Sequence, residues 1–190
     1  MAYRQLTDAE IAALEAHGCS AEDWRAVTVA PGFDAATVRD TAFSGTCRLG
    51  AFRTTYTLPG GVRKPAGLYH ATLHNVTVGD DCRISNVRSY IANYDIGVCT
   101  HIGNVDKIYV EGETSFGNGV EVSVLNETGG REVTIHTALT AHEAYLEAMY
   151  RHRPRLVAAL KRFAREKAAA ARSARGTIGC GVTVVDTGLV

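Results

Sequence analysis

The sequence predicts a mainly β fold: a parallel β-helix of hexapeptide repeats, preceded by a short helix and interrupted near its end by a helical hairpin. Three observations carry this. Val78, Ile84, Tyr90, Ile96, Ile102 and Ile108 recur every six residues. Glycine follows the aliphatic residue in Val78-Gly79, Ile96-Gly97, Ile102-Gly103 and Ile178-Gly179. The 190 residues include 19 glycines but only 4 prolines, and 46% are hydrophobic against 21% charged. A chain of that composition buries a core and turns often, so disorder is excluded as its main state.

A spacing of six matches neither the 3.6 period of a helix nor the 2 of a single strand. It fits a coil with short flat strands, each pointing one large side chain inward before a corner. Three such sides make a turn of about 18 residues, and stacked turns align the aliphatics into one core. A residue without a side chain suits the folded corner.

The elements follow in order. Residues 1–26 form a helical lead-in, where Thr7 and Glu10 make a capping box and Gly18 ends the helix. Residues 27–137 form the coils, beginning with the short strand-like runs around Val27, Val29, Val38, Phe43, Leu49 and Phe52. Val110, Phe116 and Val122 continue the spacing in a shifted frame. Residues 138–176 form a basic helical hairpin: Thr140 and Glu143 make a second capping box, and Pro154 opens a longer helix that ends before Gly176. Residues 177–190 resume the coil with Ile178, Val184 and Val190, thirteen residues counted from Ile178, which is short of a full turn and carries no polar cap. The expectation is that further chain or another subunit covers that end.

Twenty basic and twenty acidic residues cancel overall, but not locally. Ala138–Arg175 holds nine Lys or Arg and three Asp or Glu, while the remainder is acidic. The basic run lacks interleaved aromatics and any nucleic-acid motif, so a solvated or docking face is expected rather than nucleic-acid binding. No apolar stretch approaches the roughly 20 residues of a membrane-spanning helix, and the start has no signal-peptide core. The five cysteines include no CxxC pair, which points to reduced thiols in a cytoplasmic protein rather than a zinc site or redox dithiol.

Several longer motifs resemble one family. They are Arg4-Gln-Leu-Thr-Asp-Ala-Glu10, Gly18-Cys-Ser-Ala-Glu-Asp-Trp24, Leu73-His-Asn75 with Val78-Gly-Asp80, and Tyr90-Ile-Ala-Asn-Tyr94. Phe116-Gly-Asn-Gly119, Val124-Leu-Asn-Glu-Thr-Gly-Gly-Arg-Glu-Val133 and Tyr150-Arg-His-Arg-Pro154 belong with them. Together they resemble DUF4954, an uncharacterised bacterial family within the trimeric, hexapeptide-transferase-like superfamily. The resemblance implies a left-handed coil, self-association as a trimer, and a longer protein of which this chain is the N-terminal part. It carries no catalytic residues over, because the family has no established activity. The superfamily includes sugar and sugar-nucleotide acyltransferases and γ-class carbonic anhydrases, which is analogy at the level of fold.

The function read from this is binding of a sugar or sugar-nucleotide and transfer of an acyl or related group, with acyl-CoA or a nucleotide-sugar as the donor considered. The alternatives are a non-catalytic β-helical scaffold or ligand-binding module, and metal-dependent hydration. Hexapeptide acyltransferases use a histidine as general base, and His74 is the candidate because Leu73-His74-Asn75 enters the regular coil. Asn75, Asn93 and Asn104 are candidate hydrogen-bonding partners for a sugar, and each is equally suited to turning a corner. His70, His74 and His101 are the candidate set for a three-histidine zinc site; His142 is a further histidine in the hairpin. Asn126, Glu127 and Arg131 lie in the densest polar cluster, where paired glycines permit close approach and Arg131 offers a bidentate clamp. It is not a P-loop, since no lysine with serine or threonine follows. Arg151, His152 and Arg153 precede Pro154, where a phosphate would also meet the free N–H groups of a helix start.

Overall fold

A computed structural model describes residues 3–123 and 129–190. Asn126 and Glu127 lie outside the described residues. The chain is mainly β and divides into two units, one running to Val110 and including Arg175–Val190, the other Glu111–Ala174.

In the first unit, β1 (Arg4–Gln5) leads into α1 (Asp8–Ala16), followed by β2 (Ser20–Ala21), β3 (Val27–Val29), β4 (Val38–Ser44) and β5 (Cys47–Leu49). A hairpin of β6 (Thr55–Leu58) and β7 (Val62–Pro65) precedes the long strands β8 (Gly67–Val78), β9 (Arg83–Ile96) and β10 (His101–Tyr109). The capping box at α1 is complete: Thr7 accepts from the Glu10 N–H, and the Glu10 carboxylate accepts from the Thr7 N–H.

Strands distant in sequence pair in parallel, and the pairing makes columns. Val29 pairs with Leu49, Leu49 with Val78, and Val78 with Ile96, eighteen residues further on. Val38, Leu68, Ile84 and Ile102 form a second column, and Phe43, Leu73, Ile91 and Ile108 a third. All of these side chains are buried. Together they belong to the core, and five of them, Val78, Ile84, Ile96, Ile102 and Ile108, are the aliphatics whose six-residue spacing the sequence displays. Because β1 runs antiparallel to β3, the sheet is mixed.

Corners are set by residues in the left-handed region, at Asn75, Asp81, Asn86, Asn93, Cys99 and Asn104. Asparagine and aspartate tolerate that backbone better than other residues with a Cβ. Another column is made of glycines. A Cβ on Gly50 would lie 2.5 Å from the carbonyl carbon of Gly79, one on Gly79 2.9 Å from that of Gly97, and one on Gly97 2.8 Å from that of Gly179. Here glycine is required by the approach of one backbone to the next rather than by its torsions.

The six-residue rhythm slips once. Ile91, not Tyr90, occupies the inward position, and Tyr90 lies partly exposed with its ring 5.9 Å from Tyr109. β9 carries extra residues relative to its neighbours, with register shifts opposite Tyr69–Leu73 and Val105–Lys107. One inserted residue turns the next side chain to the other face of a strand.

Phe116 and Val122 do not continue the parallel strands. Phe116 is 48% exposed. Val122 sits in β11 (Glu121–Ser123), which pairs antiparallel with β12 (Glu132–Thr134) in the second unit. In that unit α2 (Ala141–Met149) is capped by Thr140, but the box is incomplete. The Glu143 carboxylate turns instead to the buried ring of His136, 3.2 Å away. Glu147, also buried, accepts the Thr134 N–H at 3.0 Å. α3 (Pro154–Ala171) begins at Pro154 as expected, and a Cβ on Gly119 would lie 3.0 Å from that of Ala168, which shows why alanines suit this helix.

Gly176 is not the helix stop. It opens β13 (Gly176–Ile178), and a Cβ there would strike the Tyr94 ring at 2.3 Å. Ile178 stacks on Ile96, and β14 (Thr183–Leu189) pairs in parallel with β10, placing Val184 beside Ile102. Val190 is 44% exposed, its N–H bonded to the Lys107 carbonyl.

Candidate ligand-binding pocket

The predicted polar residues of the parallel strands sort into two ladders. In the first, the Thr46 N–H donates to Asn75 Oδ1 at 2.9 Å, which fixes the Asn75 amide orientation. Asn75 Nδ2 then donates to His74 Nε2 at 3.0 Å and faces Asn93 Oδ1 at 3.3 Å, and Asn93 Nδ2 donates to the Val110 carbonyl. With Nε2 accepting, the hydrogen of the His74 ring resides on Nδ1 and is donated to Ser44 Oγ at 2.8 Å. Both ring nitrogens of His74 are therefore engaged inside the ladder.

The second ladder runs Asn86, Asn104, Asp186: Asn86 Nδ2 donates to Asn104 Oδ1 at 3.2 Å, and Asn104 Nδ2 to Asp186 Oδ1 at 2.9 Å. All three sit in the left-handed region. Amides stacked this way hold successive corners together, and they also line cavities on either side. One cavity, about 660 Å³, includes Arg88, Asp106 and Thr187. The other, about 530 Å³, lies between the large sheet and the β6–β7 hairpin.

That second cavity has the richer chemistry. The hairpin contributes Leu58, Pro59 and Lys64, and the strands β8, β9 and β10 contribute Tyr69, Arg83 and His101. The hairpin is anchored where it leaves the large sheet: the Arg53 and Thr54 N–H groups donate to Asp81 Oδ1, and Tyr56 Oη donates to the Asp81 carbonyl at 2.7 Å. The Tyr56 ring lies 5.5 Å from that of His101. Burial, and then the Arg83 charge, hold the His101 imidazole below its ordinary pKa, so it favours the neutral form. Burial also lowers Arg83 and pushes the Tyr56 hydroxyl up to about 12.

Of the three histidines considered for zinc, His70 and His101 line this cavity and His74 does not. Among the described residues no group of three or more His, Cys, Asp or Glu is placed to hold a metal ion. His70, exposed, lies 3.5 Å from Asp40.

The remaining candidates belong to the second unit. Arg131 is half-buried, and His142 is exposed at the start of α2. Arg151, His152 and Arg153 are exposed at the break between α2 and α3. His152 stacks on Tyr150 at 5.4 Å, and these two with Arg153 and Leu156 line an open cavity of about 610 Å³.

Arg83, Tyr69 and the hairpin escaped the sequence reading. A local signal existed in Pro59-Gly60-Gly61, a turn between the alternating residues of β6 and β7. Nothing local linked that turn to Arg83.

Fold and pocket together define a mainly β protein of stacked parallel strands with a cavity of mixed polar and apolar lining, Arg83 and Lys64 included, beside an Asn–Asn–Asp ladder. The chain belongs to the family described as Domain of unknown function (DUF4954), whose model matches residues 3–190. It is 29% identical over 188 residues to an uncharacterized protein of Treponema pallidum (strain Nichols), covering 93% of this chain and 26% of that protein. The chain thus spans about a quarter of the length of that relative. No solved structure matches. Among the described residues, no helix is long and apolar enough to cross a membrane.

Proposed function

We propose that this chain is a left-handed parallel β-helix of the trimeric hexapeptide-repeat kind, acting as a cytoplasmic module that binds a sugar or sugar-nucleotide. The observation that carries the binding reading is the cavity of about 530 Å³ between the hairpin and the coil, which is within the size range of small-molecule sites. Its lining suits a sugar: Asn86, Asn104, Ser85 and Asp186 offer donors and acceptors for hydroxyls, and Tyr69 offers an aromatic face. The three aliphatic columns and the parallel register support the coil. All five cysteines are unpaired, as a reducing compartment keeps them.

Group transfer from acyl-CoA is a second reading, with His74 as general base. What favours it is the Ser44 hydroxyl 2.8 Å from His74 Nδ1, which orients the ring. Its Nε2 would have to exchange the Asn75 amide for an acceptor hydroxyl, so this reading requires the ladder to open.

The test is thermal shift with UDP-sugars and, separately, acetyl-CoA. Binding in the hairpin cavity predicts a rise in Tm with UDP-sugar that Asn104→Ala reduces and His74→Ala leaves intact. A response to acetyl-CoA lost in His74→Ala selects the second reading, and no response to UDP-sugars rejects the first.

A further inference from the structure

Arg83 is 7% exposed, yet among the described residues no carboxylate pairs with it. One guanidinium nitrogen, Nη1, donates to the Pro65 carbonyl at 2.6 Å, and the group lies 4.8 Å from the centroid of the Tyr69 ring. Nε is buried and, among the described residues, has no hydrogen-bond partner. A buried cation is expensive unless it is paired and its donors are filled. A carbonyl and an aromatic face fill only part of that need. Arg83 is one of the residues that line the cavity.

The surroundings add positive charge. Lys64 reaches the same cavity from the hairpin, against one acid, Asp186, already engaged by Asn104. His101, kept toward its neutral form, supplies a donor or acceptor without a second fixed charge. The fork of a guanidinium matches two oxygens of a phosphoryl group, and a flexible lysine at the rim adds a point charge.

We infer that Arg83 is an anion-binding residue: the cavity takes a phosphorylated small molecule, its phosphoryl oxygens on the Arg83 guanidinium and its charge completed by Lys64. This names the charged part of the ligand whose sugar part is the proposal above, and it rests on the same cavity. It gives the unpaired cation a reason to exist. The cost of burying Arg83 in the empty protein is recovered when the anion enters, the usual exchange of stability for binding at a functional site.

The experiment titrates the 15N-labelled chain with inorganic phosphate while following the Arg83 side-chain N–H signal, beside sodium acetate at matched ionic strength. Phosphate is expected to shift that signal saturably, and acetate to leave it unmoved. In Arg83→Met phosphate affinity falls roughly tenfold or more, while Tm without phosphate equals or exceeds that of the wild type. Lys64→Ala weakens phosphate binding by less, with no loss of Tm. An Arg83 signal indifferent to phosphate in the wild type overturns the inference, whether or not Arg83→Met folds. An Arg83→Met protein that keeps the phosphate response does the same, and an equal response to acetate overturns the phosphoryl class. Phosphate binding without any UDP-sugar response would remove the sugar reading and leave the anion site standing. UDP-sugar binding unaltered in Arg83→Met would do the reverse.

Discussion

Gly79 stands directly against Gly97: a Cβ added to Gly79 would lie 2.9 Å from the Gly97 carbonyl carbon and 2.7 Å from the Val98 nitrogen. Both obstacles are backbone, so a methyl group cannot be relieved by turning a side chain. Gly97→Ala meets the Cys180 nitrogen at 2.7 Å in the same way. Either alanine is expected to destabilise by about 1–3 kcal/mol through overpacking. Gly188→Ala, with open space around it and no positive φ, is expected within about 0.5 kcal/mol of the wild type. Urea midpoints at constant slope measure the contrast, and an equal effect at positions 97 and 188 would contradict the glycine column.

Asn93 combines a left-handed backbone, φ +58°, with a donor to the Val110 carbonyl and an acceptor facing Asn75. Glycine removes the hydrogen bonds and keeps the backbone; alanine removes the bonds and adds strain. Asn93→Ala should therefore be less stable than Asn93→Gly by about 1 kcal/mol. Calorimetry of the two variants decides, and alanine matching or exceeding glycine would mean that the corner is not held as described.

The acid limb of stability should involve Glu10. Its carboxylate takes both terminal nitrogens of Arg4, at 2.7 and 2.8 Å, and the Thr7 N–H. The Arg4 hydrogen bonds, chiefly, lower its pKa from 4.5 to about 2. A carboxylate depressed by folding stabilises above its unfolded pKa and loses that contribution as pH falls through the folded value. Glu10→Gln should thus lower Tm at pH 7, and the gap to the wild type should close between about pH 4.5 and about pH 2. A gap that stays constant across that window would show that the charge is not responsible.

Thiol chemistry should separate the cysteines by depth. Cys99 and Cys180 are exposed, whereas Cys19, Cys47 and Cys82 are buried. Burial pushes the Cys82 thiol up to about 12, leaving little nucleophilic thiolate at neutral pH. A disulfide reagent should titrate two thiols in the native chain and five after unfolding, with mass spectrometry locating the fast pair at Cys99 and Cys180. Rapid native labelling of Cys82 would place it outside the core.

Much of the stacked-strand sheet is legible in the residues themselves. Val78, Ile84, Ile96, Ile102 and Ile108 announce their inward direction because each rung repeats the same packing problem, and its answer recurs at a fixed spacing. The corner role of Asn75, Asn93 and Asn104 is readable for the same reason, since few residues accept a left-handed backbone. Tyr90 shows where this fails. Its aromatic ring fits the hydrophobic pattern, and only the register against β8 and β10 turns Ile91 inward instead.

By itself, then, the sequence determined the stacked parallel strands, the glycine and asparagine columns and the helices that interrupt them. Each of these is written in local, repeated chemistry. Only the tertiary structure decided that the hairpin at Thr55–Pro65 lies beside Arg83, that His74 is tied up by Asn75 and Ser44, and that Gly176 packs on Tyr94 instead of ending a helix. Those facts depend on residues far apart along the chain meeting once. A single meeting leaves no periodicity, and among the described residues no carboxylate pairs with Arg83 to mark it.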